Sequence, residues 1–416
     1  MRIIVLGAGV VGTAAAWYLR GDGHAVSVVD AADGPARETS FANAGHLAAT
    51  SGPWADQTVP MKLMKWLGRE DAPLLLRPRF DPELVRWGLK FLRNCTAARY
   101  ATNAAPISAL GLMSVSATAG LRENLDIDDD FSDRGTLTLL GDRKDLAEMP
   151  KRLATMRAAG YDASEVVQGE IAAIEPTLEH VSGQYAGAIL ARGDAIGDAH
   201  KFTVGLAARA ADAGVVFRYG ARVEAIELHN GAARGLKLAG GERLDADAIV
   251  LAAGPWSAKL AAPLGVKLPI YPGRGYSATI PVAGRNGAPT YCVVDEHRKL
   301  YFTRFRDRLR VAGTLELNGF GPPSDKRAAA TLGHLRRMYP DGGDFSQVEN
   351  WSALRPMTPD GKPLIGATGV PGLWVDSGHG PLGWTLAAGS AEMLAALIAG
   401  RAPAMEAGHF DPRRFA

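Results

Sequence analysis

Apolar and polar positions divide the chain into stretches with distinct periods. Residues 3–30, IIVLGAGVVGTAAAWYLRGDGHAVSVVD, place a short apolar run, a glycine turn, a helix-like stretch, a second turn and another apolar run in succession. That order predicts strand–turn–helix–turn–strand. Far downstream, residues 217–257 predict three short strands joined by glycine-containing turns, then an apolar strand running into Ala252, Ala253, Gly254 and Pro255. Between 102 and 185 the pattern is helical, in ALGLMSVSATAGLREN and KDLAEMPKRLATMRAAG, with a short strand GTLTLL between them. A further helix is expected near 200–213. From 268 to 350 apolar and polar residues alternate (YSATIPV, KLYFTRF, RLRVAGTLEL), which predicts a sheet. Near the end, the strand-like LWVD leads through SGHGPLGWT, residues 377–385, into the helix-like TLAAGSAEMLAALIAG. The tail AMEAGHFDPRRFA reads as a surface segment, and no internal repeat is apparent.

The first stretch carries chemistry as well as pattern. Gly7, Gly9 and Gly12 fit GxGxxG between a strand and a helix. The first glycine permits a tight turn, the second a close approach to a pyrophosphate, and the third close packing of helix on sheet. The helix amides then face the phosphate charge. Asp30 ends the second strand, at the distance suited to a ribose. These features predict a dinucleotide site and leave NAD and FAD open. No second strand–GxGxxG–helix–strand unit occurs, and a run of strand-like segments returns much later, from residue 217. A binding domain assembled from distant segments suits a large flavin better than a compact nicotinamide domain.

Composition narrows the choice further. With 46 basic against 44 acidic residues the net charge is +2, which gives no reason to propose nucleic acid. The two cysteines, Cys95 and Cys292, lie far apart without a CxxC or Cys/His spacing, so neither a metal site nor a disulfide framework is expected. The start MRIIVLG lacks a secretory pattern, and no charge-free run long enough to span a membrane is expected. A cytoplasmic protein is the resulting expectation.

Several motifs together resemble the FAD-dependent D-amino-acid dehydrogenase (small subunit) family, within the D-amino-acid, glycine and sarcosine oxidase group. They are IIVLGAGVVG, ETSFANAG (38–45), LRNCTAARY (92–100), the pair Gly193–Asp194 and Gly197–Asp198, YPGRGYS (271–277), LRPMTPDG (354–361) and SGHGPLGWT. The resemblance runs over nearly all of the chain. It implies an α/β fold: a Rossmann-like FAD-binding domain from residues 1–100, 186–265 and 351–416, and an α+β cap with an antiparallel sheet from 101–185 and 266–350. It implies FAD, held non-covalently, and oxidative deamination of a D-amino acid to a 2-oxo acid and ammonia, with electrons delivered to a quinone. Two alternatives remain. One is an oxidase or dehydrogenase of another amine, such as hydroxyproline, sarcosine or glycine. The other is a flavin subunit that depends on a partner.

The resemblance also assigns residues. Cofactor contacts fall on Gly7, Ala8, Gly9, Val10, Val11, Gly12, Asp30 and Ala31. They continue at Thr39, Ser40, Asn43, Ala44, Gly45, Arg222, Val223, Ala253, Gly254 and Trp256. The C-terminal loop adds Gly378, His379, Gly380, Leu382, Gly383, Trp384 and Thr385, with Thr385 expected to cap the helix. Pro381 stands where the family more often has threonine, at the cost of one amide donor. A substrate carboxylate calls for arginine, whose planar guanidinium binds it bidentately. Arg355 in LRPMTPDG is the first candidate, and is also assigned to the cofactor. Arg274, Tyr276 and Tyr301 follow, with His46 and His379 as candidates for handling amine protons. His46 stands where the family often has glutamine, and Arg298 and Tyr301 also depart from its pattern. Finally, residues 61–93 mix large apolar residues with Lys62, Lys65, Arg69, Arg86, Lys90 and Arg93. A helix with such a face is a candidate for peripheral contact with the cytoplasmic face of the inner membrane.

Overall fold

The computed structural model describes residues 1–66, 68–77, 80–282, 284 and 286–415. Six strands form the first sheet, in the order Leu364–Ala367, Leu373–Ser377, Ala248–Leu251, Arg2–Leu6, Ala25–Val29 and Val216–Arg218. All pairings are parallel except that of Leu364–Ala367 with Leu373–Ser377. The N-terminal strand shows why the sheet is buried on both faces. Ile3 and Val5 face the helices Val10–Gly21, Ala97–Asn124, Ala199–Asp212 and Gly383–Ile398. Ile4 and Leu6 face a three-stranded antiparallel sheet, Val223–His229, Ala232–Leu238 and Arg243–Asp245. Side chains alternate across a strand, so an unbroken apolar run serves two cores at once. The late strand Ala248–Leu251 does return to pair with Arg2–Leu6.

A second, nine-stranded sheet forms the cap. Its path runs Glu349–Met357, Tyr271–Pro281, Arg308–Leu317, Leu300–Phe305, Cys292–Asp295, Thr136–Leu140, Gly187–Ala191 and Ala163–Val167, and Leu74–Leu76 pairs with Arg308–Leu317. Helix Asp325–Met338 packs on it through Leu335 and Met338. A short ladder of His46–Leu47 with Ala195–Ile196 lies outside both sheets.

The structure departs from the expected segment boundaries in four places. Leu74–Leu76, Gly187–Ala191 and most of Glu349–Met357 were expected in the cofactor domain, yet these strands hydrogen-bond into the cap sheet. Helix Ala97–Asn124 buries Ile107, Leu110 and Leu121 in the core beside the six-stranded sheet, although most of it was assigned to the cap. The tail is not a surface segment: Phe410 is fully buried in that same core, and Arg414 pairs with Asp360. Residues 101–121 carry no charge, against the expectation that no such run exists. They lie in Ala97–Asn124, one of two helices long and apolar enough to cross a membrane by composition. The other is the helical stretch Gly380–Ile398.

The glycine turn fits its sequence reading. Gly7 has φ +109°, and a Cβ there would lie 2.5 Å from the carbonyl oxygen of Ala252. A Cβ at Gly12 would lie 2.0 Å from the carbonyl oxygen of Gly7. Turn, helix and returning strand therefore share one tight crossing. Gly7→Ala is expected to destabilise the protein by at least about 2 kcal/mol, combining a left-handed backbone penalty with a backbone clash. Thermal denaturation and the content of bound cofactor would check this.

Candidate active site

Two loops bridge the sheets. Residues 39–46 leave the first sheet and are held by the cap. Thr303 Oγ1 donates to the carbonyl of Ala44 at 2.8 Å, and Arg310 Nη1 donates to the carbonyl of Asn43 at 3.0 Å. A Cβ on Gly45 would lie 2.4 Å from the Phe305 ring, so glycine is required at that contact. From the other side, Trp384 Nε1 donates to the Gly45 carbonyl at 3.3 Å. Thr385 Oγ1 donates to the His46 carbonyl at 3.3 Å, so Thr385 ties the two loops together and does not cap its helix.

Arg355 lies on the edge strand Glu349–Met357, opposite Gly273. Its guanidinium crosses to the site of the missing side chain at Gly275, where a Cβ would sit 2.4 Å from Cζ. Nη1 donates to the Thr314 carbonyl at 2.5 Å and Nη2 to the Gly313 carbonyl at 3.4 Å. Thr314 itself is left-handed, with φ +51°. Arg355 makes no ion pair with a carboxylate among the described residues. Burial pulls its pKa down to about 10, so it remains cationic at neutral pH. Tyr301 is its electrostatic neighbour, and the Tyr301 ring lies 5.3 Å from that of His46. His46 Nε2 in turn meets Thr136 Oγ1 at 2.9 Å and Asp194 Oδ2 at 3.3 Å.

Arg274 and Tyr276 face the other side of the sheet. Arg274 donates to the Gly321 carbonyl at 2.6 Å and to Ser352 Oγ at 3.2 Å. The Tyr276 hydroxyl donates to Glu316 and accepts the Ser324 amide at 2.8 Å. Strand alternation thus turns both away from Arg355. His379 also points inward: its Nε2 lies 3.0 Å from Ser390 Oγ and 3.4 Å from Asp376, both in the protein interior. Arg298 pairs with Asp295 and lines a separate cleft with Trp66, Arg69, His334 and Arg337.

The residues expected to contact the cofactor fall on several turns and loops. Asp30 accepts the Ala8 amide at 2.6 Å and the Ala32 amide at 2.8 Å, with Ala31 exposed between. Ser40 Oγ accepts the Val10 amide at 3.1 Å, Val11 packs toward the core, and Thr39 donates to the Leu354 carbonyl at 2.8 Å. Gly254 accepts a hydrogen bond from Ser377 at 3.0 Å, which joins the 253–256 turn to the C-terminal loop. The Trp256 ring lies tilted against Phe320, 5.6 Å between centroids, and the Arg222 carbonyl accepts the Ala239 amide beside Val223. Gly378 and Gly380 are left-handed, at φ +83° and +55°; Leu382 packs on the core, and Gly383 opens the final helix.

Comparisons with known proteins identify the family. Residues 2–397 match the family described as FAD dependent oxidoreductase. The chain belongs to this family. Among its relatives, the D-amino acid dehydrogenase of Paramagnetospirillum magneticum is 44% identical over 408 residues, covering 97% of this chain and 96% of the relative. The D-amino acid dehydrogenase of Methylobacterium nodulans is 44% identical over 413 residues, covering 99% and 98%. In fold, the chain resembles glycine oxidase from Geobacillus kaustophilus, with TM-score 0.74, 24% identity and 99% of each chain covered. L-proline dehydrogenase from P. horikoshii gives TM-score 0.72 at 19% identity, covering 100% of this chain and 97% of that one.

This FAD dependent oxidoreductase has residues that fit its cofactor. At Gly9 the nearest atom to an added Cβ is Ser40 Oγ, at 3.4 Å, so the turn is open toward a phosphate where Gly7 and Gly12 are closed by backbone. Asp30 keeps spare acceptor capacity, since each oxygen has only one amide partner. Sequence reasoning passed over Gly275, Thr136, Thr314 and the buried Asp376. Gly275 was quoted within YPGRGYS, but only the diagonal pairing with Arg355 gives it a role.

Asp376 is fully buried and neither carboxylate oxygen has a hydrogen-bond partner among the described residues. Burial raises its pKa well above the ordinary value, and burial lowers that of His379 to about 3. Both groups are thus favoured in neutral form. A raised folded-state pKa means that stability is lost as pH rises from the unfolded value toward the folded one. Asp376→Asn is therefore expected to stabilise the protein more at pH 8 than at pH 5, by about 1–3 kcal/mol at the higher pH. Thermal melts at the two pH values would check it.

Proposed function

We propose that this FAD-dependent enzyme oxidises D-amino acids to 2-oxo acids and ammonia, and delivers the electrons to a quinone-type acceptor. One observation carries the reading: a cationic Arg355, held by backbone carbonyls over Gly275, faces the site without a carboxylate of its own. An amino acid supplies the missing anion. The relatives named D-amino acid dehydrogenase support the handedness.

Bound FAD would supply the acceptor for the Cα hydrogen and its bonding electrons. Gly7 to Gly12 and Asp30 would hold its adenosine diphosphate half, and the 39–46 and 378–385 loops its ring. Arg355 binds the carboxylate, Tyr301 walls the pocket, and His46 takes up the amine proton. Water then hydrolyses the imino acid. Attachment is non-covalent in this reading. Both cysteines are buried, and burial pushes the Cys95 and Cys292 thiols up to about 11 and 12, away from the reactive thiolate.

Anaerobic titration with D- and L-amino acids, followed at the flavin band, tests the reading. Bleaching by D-enantiomers alone is expected. Bleaching only by glycine, sarcosine or hydroxyproline would move the assignment to another amine. A flavin band that no amine bleaches would favour a partner-dependent subunit.

The acceptor side has its own candidate surface, and we propose peripheral contact with the cytoplasmic face of the inner membrane. On helix Pro82–Asn94, Val85, Leu89 and Leu92 recur at helical spacing and are 61%, 56% and 47% exposed. Arg86, Lys90 and Arg93 form the adjacent stripe. An apolar stripe edged with positive charge suits an anionic lipid surface. The neighbouring Leu67, Pro78 and Arg79 lie outside the described residues. Sedimentation with anionic vesicles is expected to carry the protein down, and Leu89→Glu to release it. Equal recovery with zwitterionic vesicles, or no effect of Leu89→Glu, would contradict this surface.

A further inference from the structure

The pocket behind His46 contains a carboxylate with no role so far. The ladder of His46–Leu47 with Ala195–Ile196 brings Asp194 beside the imidazole. Asp194 is only 5% exposed, and its Oδ1 has no hydrogen-bond partner among the described residues. The turn that carries it is fixed: a Cβ on Gly193 would lie 2.8 Å from the Tyr161 ring, and the Tyr161 hydroxyl accepts the Ala49 amide at 2.8 Å. Both contacts of the imidazole, to Thr136 Oγ1 and Asp194 Oδ2, are made through Nε2. Nδ1 makes no hydrogen bond among the described residues. An ionised carboxylate only accepts, so an attractive contact requires the proton on Nε2. The lone pair of the neutral ring then lies on Nδ1.

We propose that Asp194, with Thr136, is a positioning residue that holds His46 in the Nε2–H tautomer, so that Nδ1 takes a proton from the substrate ammonium. The inference rests on the amino-acid reading above. One N–H bond of the ammonium breaks and its electron pair stays on nitrogen. An Nδ1–H bond forms, and the imidazolium carries its charge beside Asp194, which balances it. The neutral amine is the oxidisable form, because its lone pair assists departure of the Cα hydrogen with the bonding electrons.

Other titratable groups around this pocket do not share the task. Burial raises Tyr161 and Cys292 to about 12 and raises Tyr301 as well. Arg355 stays cationic, and Glu296, an electrostatic neighbour of Tyr301, is paired with Lys299 and Arg152. An acid limb in the pH profile of substrate oxidation therefore reports proton transfer to His46.

The test uses the FAD-loaded protein and its Asp194→Asn and His46→Gln variants. Nitrogen-15 NMR of the imidazoles reads the tautomer, with His46 identified by its loss in His46→Gln. The pH dependence of anaerobic flavin bleaching by a D-amino acid reads the proton transfer. Wild type should show Nε2–H at His46. Asp194→Asn should lose that preference and slow bleaching by about 10-fold or more. Its limb should differ from that of wild type, because the imidazolium has lost its counter-charge. His46→Gln should abolish the limb and slow bleaching by roughly 100-fold or more. An unchanged tautomer and limb in Asp194→Asn would overturn the proposal. Should Asp194→Asn fail to fold, retention of the limb in His46→Gln would overturn it alone. If no D-amino acid bleaches wild type, the amino-acid reading falls, and the tautomer measurement still decides whether Asp194 orients His46.

Discussion

A guanidinium withdrawn from water without an anionic partner is costly, and proteins seldom leave one so placed. Arg355, half-buried, stands partly in that position, and the surrounding cap holds it there. Gly275 leaves the space that its guanidinium fills. The register between Tyr271–Pro281 and Arg308–Leu317 shifts between Arg274 and Tyr276, and the opposite strand places Thr314 in a left-handed conformation. The carbonyls of Gly313 and Thr314 thereby meet the charge, yet supply only partial compensation. The remaining stabilisation is available to a carboxylate that arrives from outside.

That anchor is useful only if the cofactor domain presents its loops to the same place. Thr303 and Arg310 pull residues 43–46 onto the cap sheet, while Trp384 and Thr385 pull them toward the C-terminal helix. The two sheets are thus joined at the loops that the family motifs mark. His46 and Tyr301 stand at this junction with their rings 5.3 Å apart, and Tyr301 is the electrostatic neighbour of Arg355.

Much of this was legible in the sequence. The glycine turn, Asp30 and the returning strand at 248–251 depend on local pattern and on short-range sterics, which single residues reveal. The proposal of Arg355 as an anchor came from motif and chemistry, but the separation of Arg274 and Tyr276 from it was not legible. That depends on which face of Tyr271–Pro281 each residue takes, and a strand buried on both faces carries no polarity signal to show it. Segment boundaries failed for a related reason. Gly187–Ala191 and Ala248–Leu251 are equally apolar, and only their hydrogen-bond partners assign them to different sheets. The buried Phe410 in a charged, proline-containing tail shows that composition alone does not decide burial.

The most direct measurement is the binding of a non-oxidisable carboxylate shaped like an amino acid, followed by its perturbation of the flavin spectrum, in wild type and in Arg355→Met. The corresponding amide serves as the neutral control. The account predicts that the carboxylate binds wild type more tightly than the amide, and that Arg355→Met weakens the carboxylate by at least roughly 10-fold while leaving the amide unchanged. Equal binding of the carboxylate to both proteins, with flavin bound in each, would contradict the assignment of Arg355 as the carboxylate anchor.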